Sequence, residues 1–353
     1  MITEAQDNLF EADVDALVNT GGIMGKGIAL QFRRAYPAMF AAYEHAAKKG
    51  DVQLGRMHVW PTGAMAGPRY VSNFPTKGHW RAKSRLADIE SGLRDLGNVV
   101  DGLGIRSLAI PPLGCGNGGL DWEKVEPVIR TAFERQPNVH VVLYPPGRTP
   151  KASDMKTGGA KPQMTAARAA LVRVLTRYSE RALDVSLVEV QKVLYFLQVA
   201  GEPLRLKYTK AHYGPYADNL RHALIGLEGH YLTGFGDGSA TVADAEPIRV
   251  LAGADEDAVR ALATHPETGQ RIDRALDLID GFESAYGMEL LASVHWIVQE
   301  SPEAASDPDV ATDLVRRWTS RKGRMFTPEH VRIAWQTLRD RGWLANSGHL
   351  VPA

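Results

Sequence analysis

Val18-Asn19-Thr20-Gly21-Gly22-Ile23-Met24-Gly25-Lys26-Gly27 lies between a strand-like run, Ala16 to Asn19, and a helical pattern that opens at Ile28. Glycines let the backbone take positive φ and approach a ligand closely, and the free N–H groups of a helix start attract an anion. This order of strand, glycine turn and helix can cradle a phosphate. It is not a P-loop, because Lys26 is followed by Gly27 and Ile28 and not by a hydroxyl that could hold magnesium, and its spacing is not that of a dinucleotide fingerprint. The same order recurs in Ser107-Leu108-Ala109-Ile110-Pro111-Pro112-Leu113-Gly114-Cys115-Gly116-Asn117-Gly118-Gly119-Leu120-Asp121-Trp122. One glycine-rich turn is commonly only a turn, whereas two at strand ends of one small α/β unit point to a diphosphate gripped from two sides.

Outward from these loops, the first 144 residues alternate short apolar runs with longer amphipathic segments, the pattern of a sheet covered by helices. Strands are expected at Ala16 to Asn19, Met57 to Trp60, Tyr70 to Asn73, Ser107 to Ile110 and Val139 to Leu143, and helices at Ile28 to Lys49, Ser84 to Leu103 and Trp122 to Arg135. Leu108-Ala109-Ile110 is apolar at every position, as expected of a strand covered on both faces. Residues 1–145 therefore read as an α/β domain. Residues 146–165, rich in Pro, Gly and polar side chains, read as a flexible linker, and residues 166–353 as a mostly α second domain. Its helices are expected at Ala167 to Glu180, Leu187 to Ala200, Tyr216 to Leu227, Asp255 to Leu262, Gly269 to Glu283, Gly287 to Glu300 and Pro328 to Arg341.

At 353 residues, two domains can each bury a core without staples. The single cysteine, Cys115, excludes an internal disulfide and fits a reducing compartment. The N-terminal residues carry no basic region followed by an apolar run, and no stretch reaches the roughly 20 apolar residues of a membrane helix, so a cytoplasmic protein with no membrane partner is expected. Lys plus Arg and Asp plus Glu each number 41, so a nucleic acid would have to be held by a local basic patch. The 11 histidines show no metal-ligand spacing, and neither a metal nor a cofactor is expected.

A third segment, Ser72-Asn73-Phe74-Pro75-Thr76-Lys77-Gly78-His79-Trp80-Arg81-Ala82-Lys83-Ser84-Arg85, supplies that patch. Lys77, Arg81, Lys83 and Arg85 are charged and interleaved with Phe74 and Trp80, so the loop can grip a backbone and stack on bases; Trp80, Arg81, Lys83 and Arg85 are the candidate DNA contacts. The competing reading is an exposed basic loop with Trp80 packed inward. Cys115 reads as a small residue that fits its loop and not as a nucleophile, since no histidine lies near it in sequence, and Asp121 reads as the cap of the helix that starts at Trp122.

Taken together, Met24 to Phe32, Asn73 to Lys77 with His79-Trp80-Arg81, and Pro111 to Trp122 resemble the macrodomain family, most closely its DarG antitoxin branch, over about the first 145 residues. The resemblance implies a mixed sheet flanked by helices and an ADP-ribosyl glycohydrolase that removes ADP-ribose placed on thymidine in single-stranded DNA by a DarT-like toxin. Carried over by position, it implies ADP-ribose contacts from Asn8, Leu9, Asn19, Gly25, Lys26, Gly27, Thr76, Pro112, Leu113, Gly114, Cys115, Gly116, Asn117, Gly118 and Gly119, with Asn19 at the distal ribose and Lys77 as the catalytic residue. The chemistry agrees: cleaving a bond between a base nitrogen and an anomeric carbon needs charge compensation on the departing base, which an ammonium group can supply. A neutral amine could instead attack the carbon itself. Gly118 stands where a related glycohydrolase acting on glutamate-linked ADP-ribose carries an aspartate, which disfavours that covalent route here, and Asp7-Asn8 replaces the family's Gly-Asp pair near the start.

In the second half, Val190 to Gln198 and Ala211-His212-Tyr213-Gly214-Pro215-Tyr216 resemble a SocA-like (Panacea) antitoxin domain, which implies that this half grips the toxin. On the residues alone, Tyr195, Phe196 and Leu197 are core, and Tyr213 with Pro215 is a turn. Thr327 to Leu344 resembles the last helix and wing of a winged-helix fold, preceded by a basic cluster of Arg316, Arg317, Arg321, Lys322 and Arg324 that reads either as a DNA contact or as a solvated face. Two other functions stay open at this point: a reader that holds ADP-ribose without cutting it, and an antitoxin that only sequesters its toxin, with a non-catalytic macrodomain.

Overall fold

The computed structural model describes residues 1–20, 27–64, 67–79, 82–147, 150–241 and 244–344. The chain divides into two compact units, Met1–Ala160 with Asp237–Ser239, and Lys161–Gly236 with Ala240–Ala353.

The first unit contains β1 (Ile2–Glu4), β2 (Ala16–Asn19), α1 (Ile28–Ala35), α2 (Pro37–Lys49), β3 (His58–Pro61), β4 (Tyr70–Asn73), α3 (Leu86–Leu103), β5 (Ser107–Ile110), α4 (Trp122–Phe133) and β6 (His140–Leu143). The strands form one sheet in the order β1-β6-β5-β2-β4-β3, with every neighbouring pair parallel except the edge pair β3 and β4. This is the mixed, helix-flanked sheet of a macrodomain. Two apolar layers lie on its faces, one with Val18, Leu108 and Ile110 against α3 and α4, the other with Leu17, Val71 and Ala109 among Phe32, Met39 and Tyr43 of α1 and α2. Alternate residues of β2 thus enter opposite layers, which is why the run carries no polar face. The glycine loops follow the C-terminal ends of β2 and β5, two adjacent central strands.

Three departures from the expected elements have local causes. The helix expected over Ile28 to Lys49 breaks at Tyr36 (φ −134°, ψ 68°), because Pro37 lacks an N–H and bars its predecessor from the helical region. Ile2–Glu4 carries too short a pattern to be expected as a strand and becomes one by pairing with β6. Part of the expected flexible linker is packed chain: Ala152 and Met155 are buried, the Gly158 N–H donates to the Arg34 carbonyl at 2.8 Å, and the Arg34 guanidinium donates to the Thr157 hydroxyl at 2.9 Å. A Cβ on Gly158 would stand 2.1 Å from the Ala35 carbonyl oxygen, so the chain runs against α1 here as only glycine can.

The second unit holds α5 (Ala166–Ser179), α6 (Leu187–Val199), a hairpin of β7 (Tyr208–Ala211) and β8 (Gly214–Ala217), α7 (Leu220–Leu227), a two-residue pair of β9 (Leu232–Thr233) and β10 (Arg249–Val250), and then α8 (Ala254–Leu262), α9 (Pro266–Ile279), α10 (Ala285–Glu300), α11 (Pro302–Ser306), α12 (Pro308–Arg317), α13 (Ser320–Met325) and α14 (Pro328–Asp340). The two motifs quoted from this half meet. Gln191 of α6 bonds both backbone groups of Ala217, accepting from its N–H at 3.0 Å and donating to its carbonyl at 3.2 Å. Lys192 Nζ donates to the Pro215 carbonyl at 2.7 Å. Tyr195, Phe196 and Leu197 are fully buried, so they are core, whereas Tyr216, expected to open a helix, lies in β8. The basic cluster is not one surface. Lys322 is fully buried against Glu289, Arg321 forks onto the same carboxylate at 2.7 and 3.1 Å, and Arg316 donates to the Gly323 carbonyl. After α14, Gly342 turns with φ +73° and Trp343 inserts into the core; no strand follows among the described residues. No helix of the described chain is long and apolar enough to cross a membrane.

Candidate active site

The site is assembled where the chain leaves β2, β4 and β5. Asn19 ends β2, and its carbonyl accepts the Phe74 N–H at 2.7 Å; the next carbonyl, Thr20, accepts the Thr76 hydroxyl at 3.2 Å. Phe74 is fully buried, its ring lying in the notch left by Gly92 of α3, where a Cβ would come within 2.3 Å of Cζ. The short segment from Asn73 to Lys77 is therefore pinned from below by an aromatic anchor and from the side by the end of β2. Lys77, half-buried, directs its ammonium onto the Asn117 carbonyl in the second glycine loop. The Asn73 to Lys77 segment thus bonds both to the end of β2 and to the loop after β5.

The second loop is closed by its own backbone. Gly114 and Gly119 have φ +72° and +75°, the Leu120 N–H closes onto the Gly114 carbonyl at 3.0 Å, and the Ser84 N–H donates to the Gly118 carbonyl at 3.0 Å. At Gly118 the limit is space: a Cβ would meet the Gly114 carbonyl oxygen at 2.1 Å and Ser84 Oγ at 2.4 Å. Leu113 is buried, Pro112 and Cys115 are half-buried, and Gly116, Asn117 and Gly119 are exposed. Burial, with some help from the Asp121 carboxylate, pushes the Cys115 thiol up to about 11, so it stays protonated at neutral pH and is no nucleophile. Asp121 caps α4 by accepting the Glu123 N–H. Gly27, with φ +59°, precedes α1 and offers no side-chain cap, and its own N–H donates to the Asp237 carbonyl at 3.4 Å.

Of the remaining candidates, Gly25, Lys26, Trp80 and Arg81 lie outside the described residues. Asn8 caps the turn of 3-10 helix at Leu9–Glu11 by accepting the Phe10 N–H at 3.1 Å, and its amide nitrogen donates to the Asp154 carbonyl at 3.0 Å, so both ends of the amide are engaged within the fold. Leu9 is buried beside Phe10 and Phe32. Lys83 is exposed, while Arg85 is held by Asp88 across the first turn of α3, at 2.9 and 3.0 Å. Two residues that the sequence reading did not single out also belong to the site. Ser84 packs against Gly114 and Gly118, with no signal in the sequence; Asn73 bonds the Asn19 side chain, and only its place in the Asn-Phe-Pro-Thr-Lys run could have drawn notice.

The model of the Macro domain family matches residues 15–129, a span that takes in β2, the Lys77 segment and the second glycine loop. The similarity to curated relatives extends much further. A DNA ADP-ribosyl glycohydrolase of Mycobacterium tuberculosis is 44% identical over 349 residues, 95% of this chain and 98% of that protein. The chain belongs to the DNA ADP-ribosyl glycohydrolase family. Another member, from Thermus aquaticus, is 43% identical over 347 residues, 98% of this chain and 94% of its own length. A DNA ADP-ribosyl transferase-DNA ADP-ribosyl glycohydrolase fusion protein of Thermosipho africanus is 34% identical over 127 residues, 32% of this chain and 33% of its own. Likeness to the two full-length glycohydrolases therefore covers the helical unit as well as the macrodomain.

Proposed function

We propose that this chain, an ADP-ribosyl glycohydrolase, acts as an antitoxin: it releases ADP-ribose from thymidine in single-stranded DNA, and its helical unit binds a DarT-like toxin. The observation that carries the reading is the Lys77 ammonium, held by the Asn117 carbonyl where the segment after β4 meets the glycine loop after β5. With the diphosphate in the cradle formed by the second loop and the start of α1, the terminal ribose reaches the Lys77 end. Breaking the bond between its anomeric carbon and the base nitrogen leaves negative charge on the departing base. The Lys77 ammonium stabilises that charge and gives a proton to the base nitrogen, while water adds to the anomeric carbon and the proton it loses restores the ammonium. The Cys115 thiol takes no part. Lys83 and the loop around it provide the positive charge that draws a DNA backbone, and Trp80 and Arg81 complete the contact.

Support for the toxin partner comes from the Thermosipho relative, whose name joins a DNA ADP-ribosyl transferase to the glycohydrolase in one chain. The test is Lys77→Ala. ADP-ribose binding measured by calorimetry is retained, and release of ADP-ribose from a thymidine-modified oligonucleotide falls by a factor of about 100 or more, the usual worth of a positioned acid. Undiminished turnover would end the assignment, and equal turnover on a glutamate-linked substrate would end the DNA specificity. Copurification of the full chain with a DarT-like toxin tests the second role.

A further inference from the structure

We propose that Asn73 is a positioning residue that fixes the hydrogen-bonding sense of Asn19, the residue that the macrodomain resemblance puts at the terminal ribose; the inference rests on the ADP-ribose reading above. Three side-by-side strands carry it. In the sheet register Asn73 of β4 stands opposite His58 of β3 on one side and Asn19 of β2 on the other. The His58 main-chain carbonyl can only accept, so the nitrogen of the Asn73 amide turns toward it, at 3.0 Å. That leaves Asn73 Oδ1 facing Asn19, and Asn19 must answer with its own nitrogen, at 2.8 Å. Each amide orientation is thus dictated by the one before it, starting from a group that cannot be turned around.

The end of this relay is Asn19 Oδ1, which has no hydrogen-bond partner among the described residues although the side chain is only 1% exposed. A buried acceptor left unpaired is costly, and a ligand that pairs it recovers that cost. The partner must be a donor. Phosphate oxygens are excluded, whereas a sugar hydroxyl fits. The position agrees with this chemistry: Asn19 closes β2 at the entry to the first glycine run, and its carbonyl is tied to Phe74, three residues from Lys77. The terminal ribose is the hydroxyl-bearing part of ADP-ribose beyond the diphosphate, and ADP lacks it.

The experiment compares ADP-ribose with ADP by calorimetry on the full-length wild type, Asn73→Ala, Asn19→Ala and the double variant. Asn73→Ala weakens ADP-ribose binding by about tenfold, the worth of one such bond, while ADP binding is unchanged. The double variant is no weaker than Asn19→Ala alone, because both substitutions remove one interaction. Unchanged ADP-ribose affinity in Asn73→Ala, equal losses for both ligands, or losses that add would overturn the proposal. If Asn73→Ala does not fold, Asn73→Leu, closest in shape, is held to the same ligand comparison. A wild-type protein that binds no ADP-ribose refutes the function reading itself, an outcome separate from those of the variants.

Discussion

Gly118→Ala isolates the requirement that the second glycine loop close on itself. The added methyl would lie 2.1 Å from the Gly114 carbonyl oxygen and 2.4 Å from Ser84 Oγ, when ordinary contact begins more than an ångström farther out. The first obstacle is backbone, which cannot swing aside as a side-chain tip does, so the loop between Gly114 and Gly118 must open. Overpacking of this kind costs about 1–3 kcal/mol. The loop is exposed at Gly116, Asn117 and Gly119, so opening it leaves the core intact and the cost falls on the shape of the loop offered to the proposed ligand. Expressed wholly in binding, that is roughly a 5- to 150-fold rise in the Kd for ADP-ribose. Because the Asn117 carbonyl that receives Lys77 moves with the loop, turnover falls as well. Gly102→Ala, exposed on α3 and outside the candidate site, is the internal control: it has no positive φ and room for a methyl group, so its affinity stays within about twofold of wild type. Calorimetry with ADP-ribose and thermal denaturation of all three proteins decide the matter. Wild-type affinity in Gly118→Ala, or equal losses in the two alanine variants, would refute the claim that closure of this loop shapes the site.

Two further outcomes follow from the packing. Gly92→Ala gains helix propensity worth about 1 kcal/mol but forces the Phe74 ring out of its notch, so the net effect is destabilisation by about 1–2 kcal/mol with a parallel loss of turnover; a raised Tm with full activity would contradict it. In the helical unit, burial, opposed by the Glu289 carboxylate and reinforced by the Lys322 ammonium, lowers Lys192 to about 7. Since this pKa lies below the unfolded lysine value of about 10.4, the unfolded chain binds the extra proton between those limits. Stability therefore rises with pH from about 7 upward, by up to about 1.4 kcal/mol per unit, and the burial penalty is fully present below 7. Lys192→Met should flatten that rise in urea midpoints taken from pH 6 to 9.5; a rise that persists unchanged would remove Lys192 as its source.

Much of the first unit was legible because its signals are local. Leu108-Ala109-Ile110 announces a doubly covered strand, the glycines after β2 and β5 announce turns, and Asp121 announces the helix at Trp122. The break at Tyr36 was also written in the chain, since Pro37 dictates it, but the apolar spacing ran across it and masked the boundary. The candidate site was legible as three segments, not as contacts. Asn8 illustrates the gap: its residue type suits a ligand, and only the packing shows its amide donating to the Asp154 carbonyl.

By itself the sequence determined the central strands, the glycine turns and most of the helices, and which segments carry glycine, lysine and asparagine at strand ends, because those preferences act over a few residues. Tertiary structure alone decided that β1 is a strand at all, that Lys322 is buried on Glu289 and not displayed, and that Asn73 stands between His58 and Asn19. Each of these depends on groups from 15 to about 140 positions apart meeting at hydrogen-bonding distance. A backbone group or charge withdrawn from water must find its partner wherever the fold brings one, and spacing along the chain carries no record of that choice.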